Sequence, residues 1–132
     1  MIYISSMRLI FLLLLSTYQF RCSTSDLEIK VVSADELFVD IKNNNSSKIV
    51  LVNIWSTWCI PCIEEFPYIV ELGREYKNED LKVVFVSADW DENSQAVYDF
   101  LVSEEVTGIH YRKKEGDDEN FINEFSSFWS GA

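Results

Sequence analysis

The chain is short of basic residues, histidine and proline, and each shortage bears on function. Lysine and arginine number 11 against 22 acids, a formal charge of −11 over 132 residues. A surface of that sign argues against nucleic acid and anionic membrane faces as partners. Solubility accounts for the charge, and the acid-rich run from Glu115 to Glu119 reads as a solvated turn and helix start. One histidine and three cysteines are few for structural zinc, which takes about four ligands, and no second paired motif is present. A c-type haem site needs histidine directly after a Cys-x-x-Cys, and Ile63 stands there. No apolar run reaches the roughly 20 residues of a membrane span. No internal repeat is present, and the length suits one domain.

What the chain does have is Cys59-Ile60-Pro61-Cys62, preceded by Trp58. The apolar run Ile49 to Trp55 comes just before, and a mostly apolar, partly amphipathic stretch from Ile63 to Tyr76 follows. This reads as a strand, a short loop and a Cys-x-x-Cys at the start of a helix. Both sulfurs then lie in one helical turn and can close a disulfide. Cys59 faces unpaired backbone N–H groups and the positive end of the helix dipole, which favour a thiolate. Thiolate is the form that attacks disulfides, so the motif predicts a thiol–disulfide oxidoreductase. A purely structural bridge is the weaker reading, because so small a loop removes little chain entropy. Ile60 and Pro61 add no charge, which leaves the helix terminus as the main lever on the Cys59 thiol.

The N-terminus reads as an export segment over residues 1–22. Leu9 to Leu15 is an apolar core, with Arg8 before it and Ser16, Thr17 and Gln19 after it. Met7 makes a more typical start than Met1. Cys22 has two readings. It is a lipid anchor at the mature N-terminus, with polar Ser23, Thr24 and Ser25 following, or the leader is cleaved nearby or kept whole. Arg21 and Gln19 count against the anchor, since they stand where small and aliphatic residues are usual. Export implies a compartment where disulfides form.

The rest of the chain alternates. Leu27 to Val32 is a predicted strand, and Ser33-Ala34-Asp35-Glu36 is a capping box. The helix it opens puts Leu37, Phe38 and Ile41 on one face and ends in Asn43 to Ser47. Lys48 to Trp55 and Leu81 to Ser87 have the near-continuous apolar character of strands buried on both faces. The helix after Cys62 carries Phe66, Ile69, Val70 and Tyr76, with Pro67 expected to kink it. Asp89 to Ser94 is a predicted capping turn, followed by a helix with Val97, Phe100 and Leu101 inward. Val106 to Tyr111 is a weaker extended segment holding His110, which receives no role. Asp117 or Asp118 caps a last helix with Phe121, Ile122, Phe125, Phe128 and Trp129 on one stripe. The order is that of an α/β layer fold.

These residues carry a resemblance. Val52-Asn53-Ile54-Trp55-Ser56-Thr57-Trp58-Cys59-Ile60-Pro61-Cys62, then Glu65-Phe66-Pro67, then Val84-Phe85-Val86-Ser87 resemble the exported TlpA/ResA-like thiol–disulfide oxidoreductases of the thioredoxin fold. The resemblance covers roughly Leu27 to Ala132 and is firm up to Asp89. It implies a three-layer α/β/α domain over residues 23–132. It also implies Cys59 as attacking thiol, Cys62 as resolving thiol and Glu65 as a proton-transfer acid beside them. Trp58, Pro61 and Pro67 support the motif, and Trp58 and Trp55 are expected to pack around the site. No cofactor or metal is implied beyond the redox-active pair. Implied partners are protein disulfides of the bacterial periplasm or cell envelope, with a membrane thiol donor. Reduction, rather than oxidation, is also implied by the family. The family further places a proline loop, two strands and a helix after residues similar to Trp129-Ser130-Gly131-Ala132. Pro61 and Pro67 cannot serve as that proline, so a sheet lacking two strands is expected. The alternative function is a non-enzymatic module of the same fold that binds a metal or partner through the same thiols.

Overall fold

The Ser33 hydroxyl accepts the Glu36 N–H at 3.4 Å, and the Glu36 carboxylate accepts the Ser33 N–H at 2.8 Å. This is the predicted capping box, and it starts the first helix where the sequence places it. The computed structural model of the chain describes residues 26–44, 46–116 and 118–125. The export segment, Cys22, Asp117, Phe128 and Trp129 lie outside the described residues.

The elements are β1 (Leu27–Val32), α1 (Ala34–Asn43), β2 (Ile49–Trp55), α2 (Ile60–Glu75), β3 (Leu81–Ser87), α3 (Ser94–Ser103), β4 (Gly108–Lys113) and α4 (Asp118–Phe125). The strands form one sheet in the order β1-β4-β3-β2, and every neighbouring pair is parallel. Successive side chains on a strand point to opposite faces, so the sheet separates two cores. On one face Val84, Val86 and Tyr111 pack with Leu37 of α1 and Phe121 of α4. On the other, Trp55 and Phe85 pack with Phe66 of α2 and with Val97 and Leu101 of α3. The result is the three-layer α/β/α arrangement that the resemblance implies.

Two expectations need correction. The weak segment Val106 to Tyr111 is a full strand shifted to Gly108–Lys113, and it lies inside the sheet between β1 and β3. Only β3 has the buried character assigned to both apolar runs. β2 is an edge strand among the described residues; most of its side chains are half-buried and Ile49 is 60% exposed. Helix α2 begins at Ile60, so the Cys-x-x-Cys stands at a helix start as expected, with Cys62 in the first turn. It continues as one element through Pro67 to Glu75.

The pairing is uneven. β1 and β4 run in register over six residues each, and β2 and β3 over seven. Between β3 and β4 only Val86↔Tyr111 and Ser87↔Arg112 are matched. Just below that seam the His110 side chain replaces the ladder. Its Nδ1 accepts the backbone N–H of Phe85 at 3.1 Å, and its Nε2 lies 3.1 Å from the Thr107 carbonyl. Both contacts are satisfied by the neutral ring with its proton on Nε2. Burial pushes its pKa down to about 4, with nearby Lys82 adding to the shift.

On the α1 side, Asp40 accepts from Lys30 at 2.8 Å and from the Tyr111 hydroxyl at 2.9 Å. The hydrogen bond from Lys30 holds the Asp40 carboxyl below its ordinary range. Tyr111 is raised, first by burial and then by Asp40.

Candidate active site

Strand β2 delivers Trp55 and Ser56 into the interior, and the chain then turns through Thr57 and Trp58 to reach Cys59. Cys59 is the N-cap of α2, with extended backbone angles (φ −88°, ψ 93°). Its N–H donates to the Ser56 carbonyl at 3.1 Å, and its carbonyl accepts the Ile63 N–H at 3.0 Å. A helix leaves its first N–H groups without intrahelical acceptors. Here Cys59 uses its own on Ser56, and Pro61 has none. The N–H groups of Ile60 and Cys62 are therefore the donors left at this terminus. No acid lies in the first turn, so no carboxylate there offsets the dipole beside Cys59.

Cys59 and Cys62 are joined as a disulfide across one turn, with Cα atoms 5.2 Å apart. Both cysteines are half-buried. They differ in what lies behind them. Cys62 packs against the cluster of Trp55, Phe66, Phe85 and Val97, whereas Cys59 is not part of it. The two sulfurs thus differ in packing and not in exposure class.

The other motif residues fall into two groups. Trp55 packs at the site as expected, with its ring against Phe66 at 4.9 Å and Phe100 at 4.8 Å. Trp58 does not pack inward. It is 55% exposed and stacks on Trp90, with centroids 6.0 Å apart and planes at 23°. Pro61, Glu65 and Pro67 are exposed along α2. Glu65 follows Cys62 in the same helix, and its side chain makes no hydrogen bond or ion pair among the described residues. No group of three metal-ligating side chains converges among the described residues.

The residue that sequence reasoning missed is Asp89. The sequence reads it as part of a capping turn, yet it is fully buried and its side chain does not cap α3. Its carboxylate accepts the Thr57 N–H at 2.9 Å, the Thr57 hydroxyl at 2.5 Å and the Ser87 hydroxyl at 2.8 Å. Arg112, also buried, reaches the Asp89 carbonyl at 3.5 Å and forms an ion pair with Asp91 at 2.5 Å. The loop that presents Cys59 is thus pinned to the carboxyl end of β3. A signal was available, since polar Ser87 and Asp89 end an apolar strand, and parallel sheets gather their sites at such ends.

Comparisons with known proteins agree with this geometry. Residues 25–119 match the family described as Redoxin. The thiol-disulfide oxidoreductase ResA of Oceanobacillus iheyensis is 35% identical over 77 residues, covering 57% of this chain and 40% of that protein. A thioredoxin of Mycolicibacterium smegmatis is 34% identical over 89 residues, covering 67% of this chain and 77% of the relative. The chain thus spans about two-fifths of the length of the ResA proteins it matches. Among solved structures, a Bacteroides vulgatus protein described as a thiol-disulfide oxidoreductase aligns with TM-score 0.50 at 25% identity. That alignment covers 64% of this chain and 53% of the other. A thioredoxin domain from the same organism aligns with TM-score 0.50 at 21% identity, which speaks to fold alone. The chain belongs to the redoxin family, as a TlpA/ResA-like member with the thioredoxin fold.

Proposed function

We propose that this protein is an exported thiol–disulfide oxidoreductase that reduces protein disulfides, with Cys59 as nucleophile and Cys62 as resolving thiol. The observation that carries the reading is the Cys59–Cys62 pair closed across the first turn of α2, with Cys59 at the cap and Cys62 against the core. In the reduced protein the Cys59 thiolate attacks one sulfur of a substrate disulfide. A mixed disulfide forms and one substrate thiolate leaves. Cys62 then loses its proton and attacks Cys59, which closes the Cys59–Cys62 bridge and releases the second substrate thiol. Two electrons pass to the substrate. An external dithiol, such as a membrane thiol donor, must return them before the next cycle.

Glu65, one turn beyond Cys62, is the proposed proton acceptor for that resolving step. The motif around it supports the role. Export to a bacterial envelope rests on residues 1–22, with Cys22 as the point where a lipid anchor would attach. No helix among the described residues is long and apolar enough to cross a membrane.

The direct test is alkylation of the reduced protein across pH, with peptide mapping. Cys59 is expected to react first, with a pKa below the free value of about 8.5. Replacing Cys62→Ser is expected to trap substrates on Cys59. Preferential labelling of Cys62 would reverse the assignment.

A further inference from the structure

The tryptophans beside the disulfide have no part in the exchange chemistry, yet their placement is heavily constrained. Trp58 and Trp90 are 55% and 47% exposed and stack at 6.0 Å, though they come from segments far apart in the chain. Each directly follows a residue of the buried network, Thr57 in one case and Asp89 in the other. The stack is therefore built on a fixed frame. Ile60, the residue after Cys59, is 71% exposed. Cys59 is thus flanked in the chain by a member of the stacked pair, Trp58, and by an exposed aliphatic side chain, Ile60. Leaving such surface in water is unfavourable, and exposed patches of this kind mark binding sites.

The charge around the patch specifies what it fits. Segments 56–73 and 88–111 contain no lysine or arginine, while Glu64, Glu65, Asp91 and Glu92 flank the cysteines and Trp90. All four acids are exposed. Arg112, the nearest base in the chain after Trp90, is committed to Asp91. Glu64, Glu65 and Glu92 form no ion pair among the described residues. Indole faces attract cations, tryptophan most strongly, and unpaired acids nearby add to that attraction.

We infer that the Trp58–Trp90 stack with its acidic border is a docking surface for the cysteine-bearing segment of a cationic polypeptide. A lysine or arginine beside the substrate disulfide lies over the indoles while Cys59 attacks the sulfur. The exchange half of this statement rests on the function proposed above; the docking half does not.

The test uses the full chain and two sets of peptides. One set carries a disulfide flanked by lysines or by glutamates. The other has serine in place of cysteine and cannot exchange. Rates come from dithiothreitol-reduced, desalted protein, and binding of the serine peptides from tryptophan fluorescence. The lysine peptide is expected to react and bind at least about tenfold better at low ionic strength, with the gap narrowing in 1 M salt. Trp90→Ala is expected to cut that preference to about threefold or less, and Trp90→Phe to give an intermediate value. Glu92→Lys, an exposed change that does not threaten folding, is expected to lower it as well. Equal behaviour of the two peptides overturns the inference. So does a preference that Trp90→Ala and Glu92→Lys both leave intact, since the net charge of the whole chain is then responsible. Preferential binding without any exchange keeps the docking surface and removes the proposed function. Exchange without preference does the reverse.

Discussion

Asp89 accepts both hydrogen-bond donors of Thr57, the backbone N–H at 2.9 Å and the hydroxyl at 2.5 Å. That pair fixes the loop leading into Cys59 to the end of β3 and leaves the carboxylate wholly out of water. Removing the carboxylate orphans the Thr57 N–H and the Ser87 hydroxyl at once. Asp89→Ala is expected to lower stability by about 2–4 kcal/mol, and Asp89→Asn by less, because the amide keeps one acceptor. Urea unfolding of the oxidised protein measures both. If the alanine variant loses under about 1 kcal/mol, the loop is held by something other than Asp89.

Glu65→Gln is expected to slow the resolving step more than the first attack, by about tenfold or more if the carboxylate takes the Cys62 proton. Single-turnover kinetics separate the two steps. Glu65 is exposed, so the substitution is expected to leave folding intact. Equal rates in both steps would return Glu65 to the ordinary surface.

His110 makes stability depend on pH. Its folded-state pKa is about 4 against an ordinary 6.5, so between those values the unfolded chain binds the extra proton. The stabilising contribution of the neutral ring is present above pH 6.5. It is lost as pH falls through that window, to a total on the order of 3 kcal/mol near pH 4. His110→Gln is expected to flatten the slope of unfolding free energy against pH over this range. An unchanged slope in the variant would assign the effect to carboxylates.

Gly73 is placed by packing. A Cβ there would lie 2.9 Å from Val83 Cγ2 and 3.3 Å from Val83 Cβ, so α2 and β3 approach closely at this point. Alanine gains about 1 kcal/mol in helix propensity, but a stiff β-branched side chain on a paired strand yields little, and overpacking costs about 1–3 kcal/mol. Gly73→Ala is expected to be net destabilising. The double change Gly73→Ala with Val83→Ala should recover the strain part of the loss, which a mutant cycle in urea reads directly.

Much of this molecule is legible in its sequence because local signals and tertiary structure agree there. The capping box at Ser33, the apolar run into Trp55 and the Cys-x-x-Cys at a helix start each act through neighbours in the chain. β4 is harder to read. Gly108-Ile109-His110-Tyr111-Arg112-Lys113 alternates poorly and carries two cations, yet His110, Arg112 and Lys113 are buried. For His110 and Arg112 the cost is met by partners remote in sequence, Phe85 and Asp91 respectively. Asp89 was hidden for a related reason. Asp-Trp-Asp-Glu-Asn-Ser has the composition of a turn, and only the folded chain brings Thr57 to that carboxylate. The exposure of Trp58 was equally out of reach, since tryptophan is usually core.

The uneven matching of the strands divides the sheet into two ribbons. β1 and β4 form one and β2 with β3 the other; their backbones are joined by two matched pairs and one imidazole, beneath cores that both ribbons share. The cysteine pair is carried by the second ribbon, because α2 follows β2 and packs on the core to which β3 contributes Phe85. Native-state hydrogen exchange should therefore resolve two opening units rather than one. The Phe85 amide, held by a ring that can be protonated, sits at their boundary. Acidification is expected to weaken this boundary as His110 takes up its proton, between the half that carries the thiols and the half that carries α1 and Asp40.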